Sequence, residues 1–514
     1  MRVRVECYAA AEFTTPAMKN GTRLAAVDLG SNSFRLEIGR LDHGQIHRTE
    51  YLKETVRQGN GLDAERNLSL EAMQRGWDCL ARFGERLAGF DASQVRAVAT
   101  QTLREAANRD VFLARAQQVL GFPIDVIAGR EEARLIYQGV AHLLPQSDER
   151  RLVVDIGGRS TELILGQGTA AQTMESYRLG SVGWSMKYFA EGQFTARAFD
   201  VAEIAAKAVL DEALNAYRRS SWDVAYGSSG TIGAVCDVLA AAGWPAGSVT
   251  RASLDWLREK LIKAQRADHV RLDALKDDRR PVIGGGLSVL RAVFDLLEID
   301  EMHAAQGALR HGVLYDLLDR ELDQTDVRSA TVQRLVRKFE ADVHQAQRVG
   351  RTAVHLFRQT LPAMDEEERE RVERKLAWAA QLHEIGAHIS PSNYHRHGAY
   401  ILDNADAPGF ALSELHRLSQ LVLGHRGKLR KLDLDLEDHL LVKQLMALRL
   451  AVILCHARRD PDVQGVTLAS DPARRFSLGT LPGWAEAWPQ SAHLLREEAQ
   501  SWQKTPWTLH LQGM

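Results

Sequence analysis

The stretch Leu24-Ala-Ala-Val-Asp28-Leu-Gly30-Ser-Asn-Ser33 decides the fold, because Leu152-Val-Val-Asp155-Ile-Gly157-Gly-Arg-Ser160-Thr-Glu162 repeats its pattern. Each copy is an apolar run of strand character ending on Asp, followed by a hydrophobe, a glycine and a hydroxyl-rich turn. Asp155 follows Asp28 by about the length of one α/β domain. Two such turns facing one another across a cleft would surround a phosphate chain with backbone N–H groups and hydroxyls. The two strand-end carboxylates are costly to bury without a partner, and a divalent cation supplies one. The duplicated pattern therefore points to phosphoryl chemistry.

Two further segments fit that picture. Gly129-Arg-Glu131-Glu132-Ala-Arg134 follows a strand and opens a helix. The helix macrodipole favours an acidic first turn and accounts comfortably for one glutamate; the second is a candidate to deprotonate a water molecule. Tyr226-Gly227-Ser228-Ser-Gly230-Thr231 also follows a strand and opens a helix, as a third phosphate-facing turn.

Around these motifs the chain organises itself by periodicity. Strands are expected at 24–29, 34–39, 45–56, 95–100 and 124–128, with helices at 69–89, 109–120 and from Glu131 onward. The cycle restarts with strands at 151–156, 161–165, 223–227 and 301–305, and helices near 183–190, 195–219, 231–241 and 285–298. This makes a pair of α/β domains, 22–138 and 139–322. Beyond the polar linker Asp319–Ser329 the pattern is helix after helix over 323–465. Residues 466–514 carry Trp484, Trp488, Trp502 and Trp507 and read as a small C-terminal subdomain with a strand near 506–511. Residues 1–21 read as a poorly ordered extension, or as the product of a start upstream of Met18.

The 514-residue length allows several domains, and 45% hydrophobic with 26% charged residues is ordinary for a folded soluble protein. No apolar stretch approaches a transmembrane helix, and no signal-peptide core follows Arg2 and Arg4. Cys7, Cys79, Cys236 and Cys455 show neither metal spacing nor a disulfide framework, which fits a reducing cytoplasm; peripheral membrane association is left open. A formal charge of -2 gives no general attraction to nucleic acid, so a polyanion needs a local basic groove.

The combination AAVDLGSNSF (25–34), ATQTLREA (99–106), IAGREEARLIYQGV (127–140), VVDIGGRSTELILG (153–166), YGSSGT (226–231) and QGALRHGVLYDLL (306–318) resembles the bacterial exopolyphosphatase and guanosine pentaphosphate phosphohydrolase family, of the actin-like superfamily. The resemblance extends through LHEIGAHI (382–389) and HRHGAYIL (395–402). It implies two actin-like, ribonuclease H-like domains, an all-α HD-like domain and a homodimer. It also implies Mg²⁺-dependent removal of terminal phosphate, first from inorganic polyphosphate and alternatively from guanosine 5′-triphosphate 3′-diphosphate (pppGpp). Carried onto matching positions, Glu132 is the expected base, and Asp28, Asp155 and Glu162 stand on the metal side. Ser31, Asn32, Gly157, Ser160, Thr161, Gly227, Ser228 and Gly230 cradle phosphates, and Arg104 meets the phosphate chain.

Departures and outlying motifs leave alternatives open. Arg159 stands where the resemblance expects a third glycine, and either points away or adds a cation to the phosphate path. Arg279–Arg280 before Pro281 is a surface pair or a nucleotide-facing edge, with Arg280 the binding candidate. His344, His383, His397 and His425 follow the ligand series of HD-type phosphohydrolases. Glu384 and Cys455-His456, however, stand where aspartates are expected, so an HD-like scaffold without metal chemistry is favoured. His397, Arg426 and Lys428, with Arg430 and Lys431, form a solvated basic face or a polyanion path. An actin-like kinase and a non-catalytic sensor of polyphosphate or alarmone complete the range of readings.

Overall fold

The computed structural model describes residues 19–145, 147–320, 326–429 and 434–513. Cys7, Met18, nearly all of the expected N-terminal extension, residues 321–325 of the expected linker, and Arg430 and Lys431 lie outside the described residues. The chain divides into two units, one ending at Asp326 and one beginning at Val327.

The first unit holds two sheets. β1 (Arg23–Leu29), β2 (Phe34–Asp42), β3 (Gln45–Glu54), β4 (Val95–Ala99) and β5 (Ile124–Val126) lie in the order β3-β2-β1-β4-β5. β6 (Arg150–Ile156), β7 (Thr161–Gln167), β8 (Ala170–Tyr177), β9 (Val224–Ser228), β10 (Ser248–Thr250) and β11 (Glu301–Ala304) lie in the order β10-β11-β9-β6-β7-β8. In both, an antiparallel meander leads into parallel strands, β1 to β4 in one and β6 to β9 in the other. The doubled sequence pattern is thus a doubled topology, with β10 added at one edge. The register is doubled as well: Asp28 pairs with Arg35, and Asp155 pairs with Glu162 at the same place in the second hairpin. β1 and β6 are buried almost throughout, which is why both read as continuous apolar runs.

Between the sheets run the helices Gly129–Leu143 and Leu309–Arg320. Leu24 and Val98 from the first sheet, Val153 and Ile164 from the second, and Tyr137 and Val313 from the helices share one apolar core. The helices touch through glycine: a Cβ on Gly312 would run into the Leu135 carbonyl oxygen. Polar groups lock the same contact. Arg96, Arg134 and Arg320 all pair with Asp316, and Arg134 also pairs with Glu131 at 2.8 Å. Burial opposes ionisation of Asp316, yet the three guanidinium groups hold its carboxyl far below the usual range.

The second unit is mainly helical, with β12 (Thr467–Ser470), β13 (Arg475–Gly479) and β14 (Thr508–Gln512) forming a small sheet in the order β12-β13-β14. Phe476, Trp502 and Trp507 share one core with Val349, Leu376, Leu421 and Leu448. The C-terminal segment therefore completes the helical core and has none of its own. Its last strand falls close to the expected position. β8, β10, β12 and β13 and the helix Arg251–Ala264 were not among the expected elements.

A histidine cluster lies inside this unit. The His383 and His425 rings stand 5.3 Å apart, and His395 and His425 stand 6.3 Å apart. Burial, then the neighbouring His383, pushes His425 well below the ordinary imidazole value. Arg426 and Arg396 face His395, whose own value burial also lowers, and Arg449 acts on both rings. A buried neutral histidine binds its proton more weakly when folded, so stability is full above about pH 6.5 and is lost as pH falls below it. Urea unfolding at about pH 7.5 and about pH 5.5 should therefore show an acid loss, and His425→Gln should flatten it. An unchanged acid slope in that variant would remove His425 as its source.

Candidate active site

A cavity of about 400 Å³ opens between the two sheets of the first unit. Asp28, Ser31 and Asn32 line it from the first copy of the motif, and Asp155, Gly157 and Ser160 from the second. The turns meet: a Cβ on Gly158 would lie 3.1 Å from Ser31 Cβ and 3.6 Å from the Asn32 nitrogen. Gly230 and Thr231, at the start of the helix Ser229–Ala241, form a third wall. Ser229 takes a strained φ of 100°, and its hydroxyl accepts from the Thr231 and Ile232 nitrogens at 3.2 and 3.3 Å.

Glu132 also lines this cavity, from the first turn of Gly129–Leu143. The two adjacent glutamates part in function. Glu131 turns into the Arg134–Asp316 network, whereas Glu132 turns to the cavity and accepts from Arg104 Nη1 at 2.7 Å. Burial pushes the Glu132 carboxyl up, Arg104 pulls it down, and Asp28 pushes it up again.

The remaining acids are buried beside Glu132. Asp28 Oδ2 is paired with Arg35 at 2.9 Å. Asp155 is pushed up to about 6, first by burial and then by Glu132 and Asp28, while Ser228 and Arg35 pull it down. Glu162 is pushed well up by burial and by Glu132 and Asp155, although Ser176 Oγ donates to it at 2.7 Å. Asp155, which lines the cavity, and Glu162, which lies outside its lining, are buried carboxyls that resist ionisation, and such groups suit a divalent cation. Among the described residues no three His, Cys, Asp or Glu groups gather as a ligand set. The donor set therefore suits an ion held by one or two carboxylates with phosphate and water completing its shell, as Mg²⁺ prefers.

Several expected phosphate contacts lie elsewhere. Thr161 Oγ1 donates to the Leu179 carbonyl at 2.8 Å, and Ser228 Oγ to the Gly307 carbonyl at 3.0 Å. Gly227 belongs to β9 beneath Ile232 and Met302, where a side chain has no room. Arg104 does not line the cavity; it holds Glu132, the Gln101 side chain and the Ile127 carbonyl. Arg280 is turned to Asp277 at 3.1 Å, while its neighbour Arg279 is buried and lines the cavity. The binding candidate of that pair is therefore Arg279, because the short helical turn starting at Arg280 points the two side chains apart. His397, Arg426 and Lys428 belong to the second unit: His397 is half-buried, and Arg426 and Lys428 are exposed. Arg426 lies over the Tyr394 ring at 4.6 Å. Glu384, in the HD-like position, is paired with Arg458 at 2.8 Å.

Beyond the Arg279–Arg280 pair, sequence reasoning missed the cationic side of the cavity. Arg35, Lys53, Lys276, Arg279 and Arg310 line it together with Tyr51. Arg310 lies over the Tyr51 ring at 5.0 Å and is held by Glu37. Burial and then a neighbouring guanidinium lower Arg279, through Arg35, and Lys53, through Arg279. Asp278 meets Lys53 at 3.6 Å and Arg279 only at 4.0 Å. Cations crowded in this way favour a bound anion. The internal repeat carried a signal for one of them, since Arg35 follows Asp28 at the interval by which Glu162 follows Asp155.

Two facing glycine turns, a buried carboxylate and a cationic wall on a doubled actin-like scaffold suit a hydrolase of phosphoanhydride bonds. The chain matches the Ppx/GppA phosphatase family over residues 38–321 and domain III of that family over residues 327–499, and it belongs to this family. It is 39% identical over 499 residues to the guanosine-5'-triphosphate,3'-diphosphate pyrophosphatase of Vibrio vulnificus, covering 96% of this chain and 99% of that one. The Vibrio campbellii protein of the same name is 38% identical over 493 residues, covering 95% and 97%. Among solved structures, an exopolyphosphatase-like protein superposes with TM-score 0.53 at 25% identity, covering 58% of this chain and 98% of the other. An exopolyphosphatase from Cytophaga hutchinsonii shares the fold, with TM-score 0.53 at 24% identity over 58% and 98%. Among the described residues no helix is long and apolar enough to cross a membrane.

Proposed function

We propose that the chain removes the terminal 5′ phosphate of pppGpp with the help of Mg²⁺, releasing orthophosphate. The observation that carries this reading is the cavity's two chemically opposite sides. The acidic turns suit a metal-bound 5′ triphosphate, and the crowded cations Arg35, Lys53 and Arg279 suit a second, separate phosphate group. The full-length Vibrio relatives named for this substrate support it over the polyphosphate reading expected first from the sequence. Asp155 and Glu162 would hold Mg²⁺, which supplies charge neutralisation of the phosphate oxygens. Glu132, held by Arg104, accepts the proton of the attacking water. Backbone N–H groups of the turns around Ser31 and Gly157 and the helix start at Gly230 orient the terminal phosphate for in-line attack.

Exopolyphosphatase activity is the second reading, because a linear phosphate chain also satisfies both sides of the cavity and the structural relatives bear that name. Phosphate release from pppGpp, long-chain polyphosphate and ATP, compared in the parent and in Arg279→Ala, separates the two. Loss of one charged hydrogen-bonding partner should raise KM for pppGpp by about tenfold or more, with a smaller effect on polyphosphate. A parent that prefers polyphosphate, with Arg279→Ala affecting both substrates equally, would transfer the assignment to the second reading.

A further inference from the structure

Arg159 occupies the second phosphate turn, yet its side chain leaves the cavity. Its Nη1 donates to the Gly59 carbonyl at 3.0 Å, and its Nε and Nη2 meet Glu105 Oε2 at 3.2 and 3.1 Å. Both partners belong to the opposite lobe of the first unit. From Glu105 the contacts continue inward. Gln101 Nε2 donates to Glu105 Oε1 at 2.7 Å, and Gln101 Oε1 accepts from Arg104 Nε and Nη2 at 3.0 and 2.7 Å. Arg104 Nη1 then reaches Glu132 Oε2 at 2.7 Å. On the other side, the Gly59 nitrogen donates to the Ser31 carbonyl at 2.8 Å. Gly59 is where the strands of this network converge: a Cβ there would lie 3.0 Å from Arg159 Cδ and 3.3 Å from Ser31 Cβ.

We propose that Arg159 is a positioning residue, which clamps the second phosphate turn to the first lobe and, through Glu105, Gln101 and Arg104, fixes the carboxylate of Glu132. The proposal rests on the reading of Glu132 as the base. A planar guanidinium suits the role because its fixed fork of donors holds a carboxylate and a carbonyl in one geometry, where an ammonium is a compact charge on a flexible stem. Each inner group in the series is held by the next, so loosening the outer clamp leaves Glu105 and Gln101 free to reorient and Arg104 less constrained. Glycine at position 159 would make the turn more permissive and leave Glu105 without this partner.

The test uses the full chain with Mg²⁺ and pppGpp, and with long-chain polyphosphate in parallel. Arg159→Gly should lower kcat by about tenfold or more while KM stays within about twofold, because geometry and not ground-state binding is disturbed. Glu105→Gln, which keeps the shape and removes the charge, should do the same. The double variant should be little worse than either single one, since both break a single connection. Arg159→Lys should recover part of the rate. Thermal midpoints of all variants separate lost geometry from lost folding, and Glu105→Gln carries the same expectation if Arg159→Gly does not fold. Parent-like kcat in both single variants, with Glu132→Gln inactive, overturns the positioning role alone. Independent, multiplying effects of the two changes overturn it as well. Parent-like turnover in Glu132→Gln removes the base and the positioning role together.

Discussion

Replacing Glu132 by Gln is expected to lower kcat for phosphate release by about 10²- to 10⁴-fold, with little change in KM. The amide keeps the side chain's length and one oxygen for Arg104 but can no longer take a proton from water. Two features make this the largest single effect. Burial holds Glu132 in a cavity where few other groups can act on the same water, and its raised proton affinity brings it closer to a useful base. Arg104 opposes that rise. Because activity needs the ionised form, the acid side of the kcat profile should report this group and vanish from the residual rate of the variant. The adjacent Glu131→Gln serves as contrast. Its carboxylate sits in the Arg134–Asp316 network, so its loss should act mainly on stability. Parent-like kcat in Glu132→Gln, or equal kinetic losses in both variants, would end the assignment of Glu132 as base.

The difference between those neighbours marks how far the sequence could be read. The doubled Asp-hydrophobe-Gly turn was legible because everything that defines it is local: an apolar run buried on both faces, a carboxylate at its end and a hydroxyl-rich bend. Duplication then fixed the two sheets in advance of any contact. Strands with weaker local character were not legible. β8 shows no regular alternation of apolar and polar residues and its pairing with β7 shifts register at Leu165/Gly166, and β12 and β13 are short and borrow a core from the helices. The helix Arg251–Ala264 does carry a local signal, a Thr250–Ser253 cap followed by Leu254, Leu257 and Leu261 on one face. In the site, the acids came from motifs, whereas the cations came from β2, β3, the loop before the helix Ile283–Leu296 and the start of Leu309–Arg320. Their convergence is tertiary. Arg279 against Arg280 turns on the phase of one short helical turn, which adjacency in sequence does not encode.

Asp155→Asn is expected to abolish most activity, by about 10²- to 10³-fold, and yet to stabilise the protein without Mg²⁺. The sign follows from its proton affinity. Folding raises this carboxyl from the ordinary aspartate value near 3.8 to about 6, so the folded state binds the proton more tightly. The associated stability is present below about pH 3.8 and is lost as pH rises through about 6, which leaves the ionised group destabilising by on the order of 3 kcal/mol. Glu162 and Glu132 shift in the same direction and steepen that loss. An uncharged amide of the same shape removes the repulsion, so the thermal midpoint at about pH 8 should rise by roughly 2–5 °C and the pH slope should shrink. Mg²⁺ should act on the parent in the opposite sense to pH. A cation that binds only the folded site stabilises it, more strongly as the carboxyls ionise, and the variant should lose most of that increment. A variant less stable than the parent at about pH 8 without Mg²⁺, or one stabilised by Mg²⁺ as much as the parent, would show that the charge on Asp155 is not what the site holds in reserve for a metal. The coupling of these two measurements is the physical content of the site. On the proposed reading, the acidic turns carry buried carboxyls whose ionisation costs stability alone and becomes favourable once a cation and a phosphate chain enter between them.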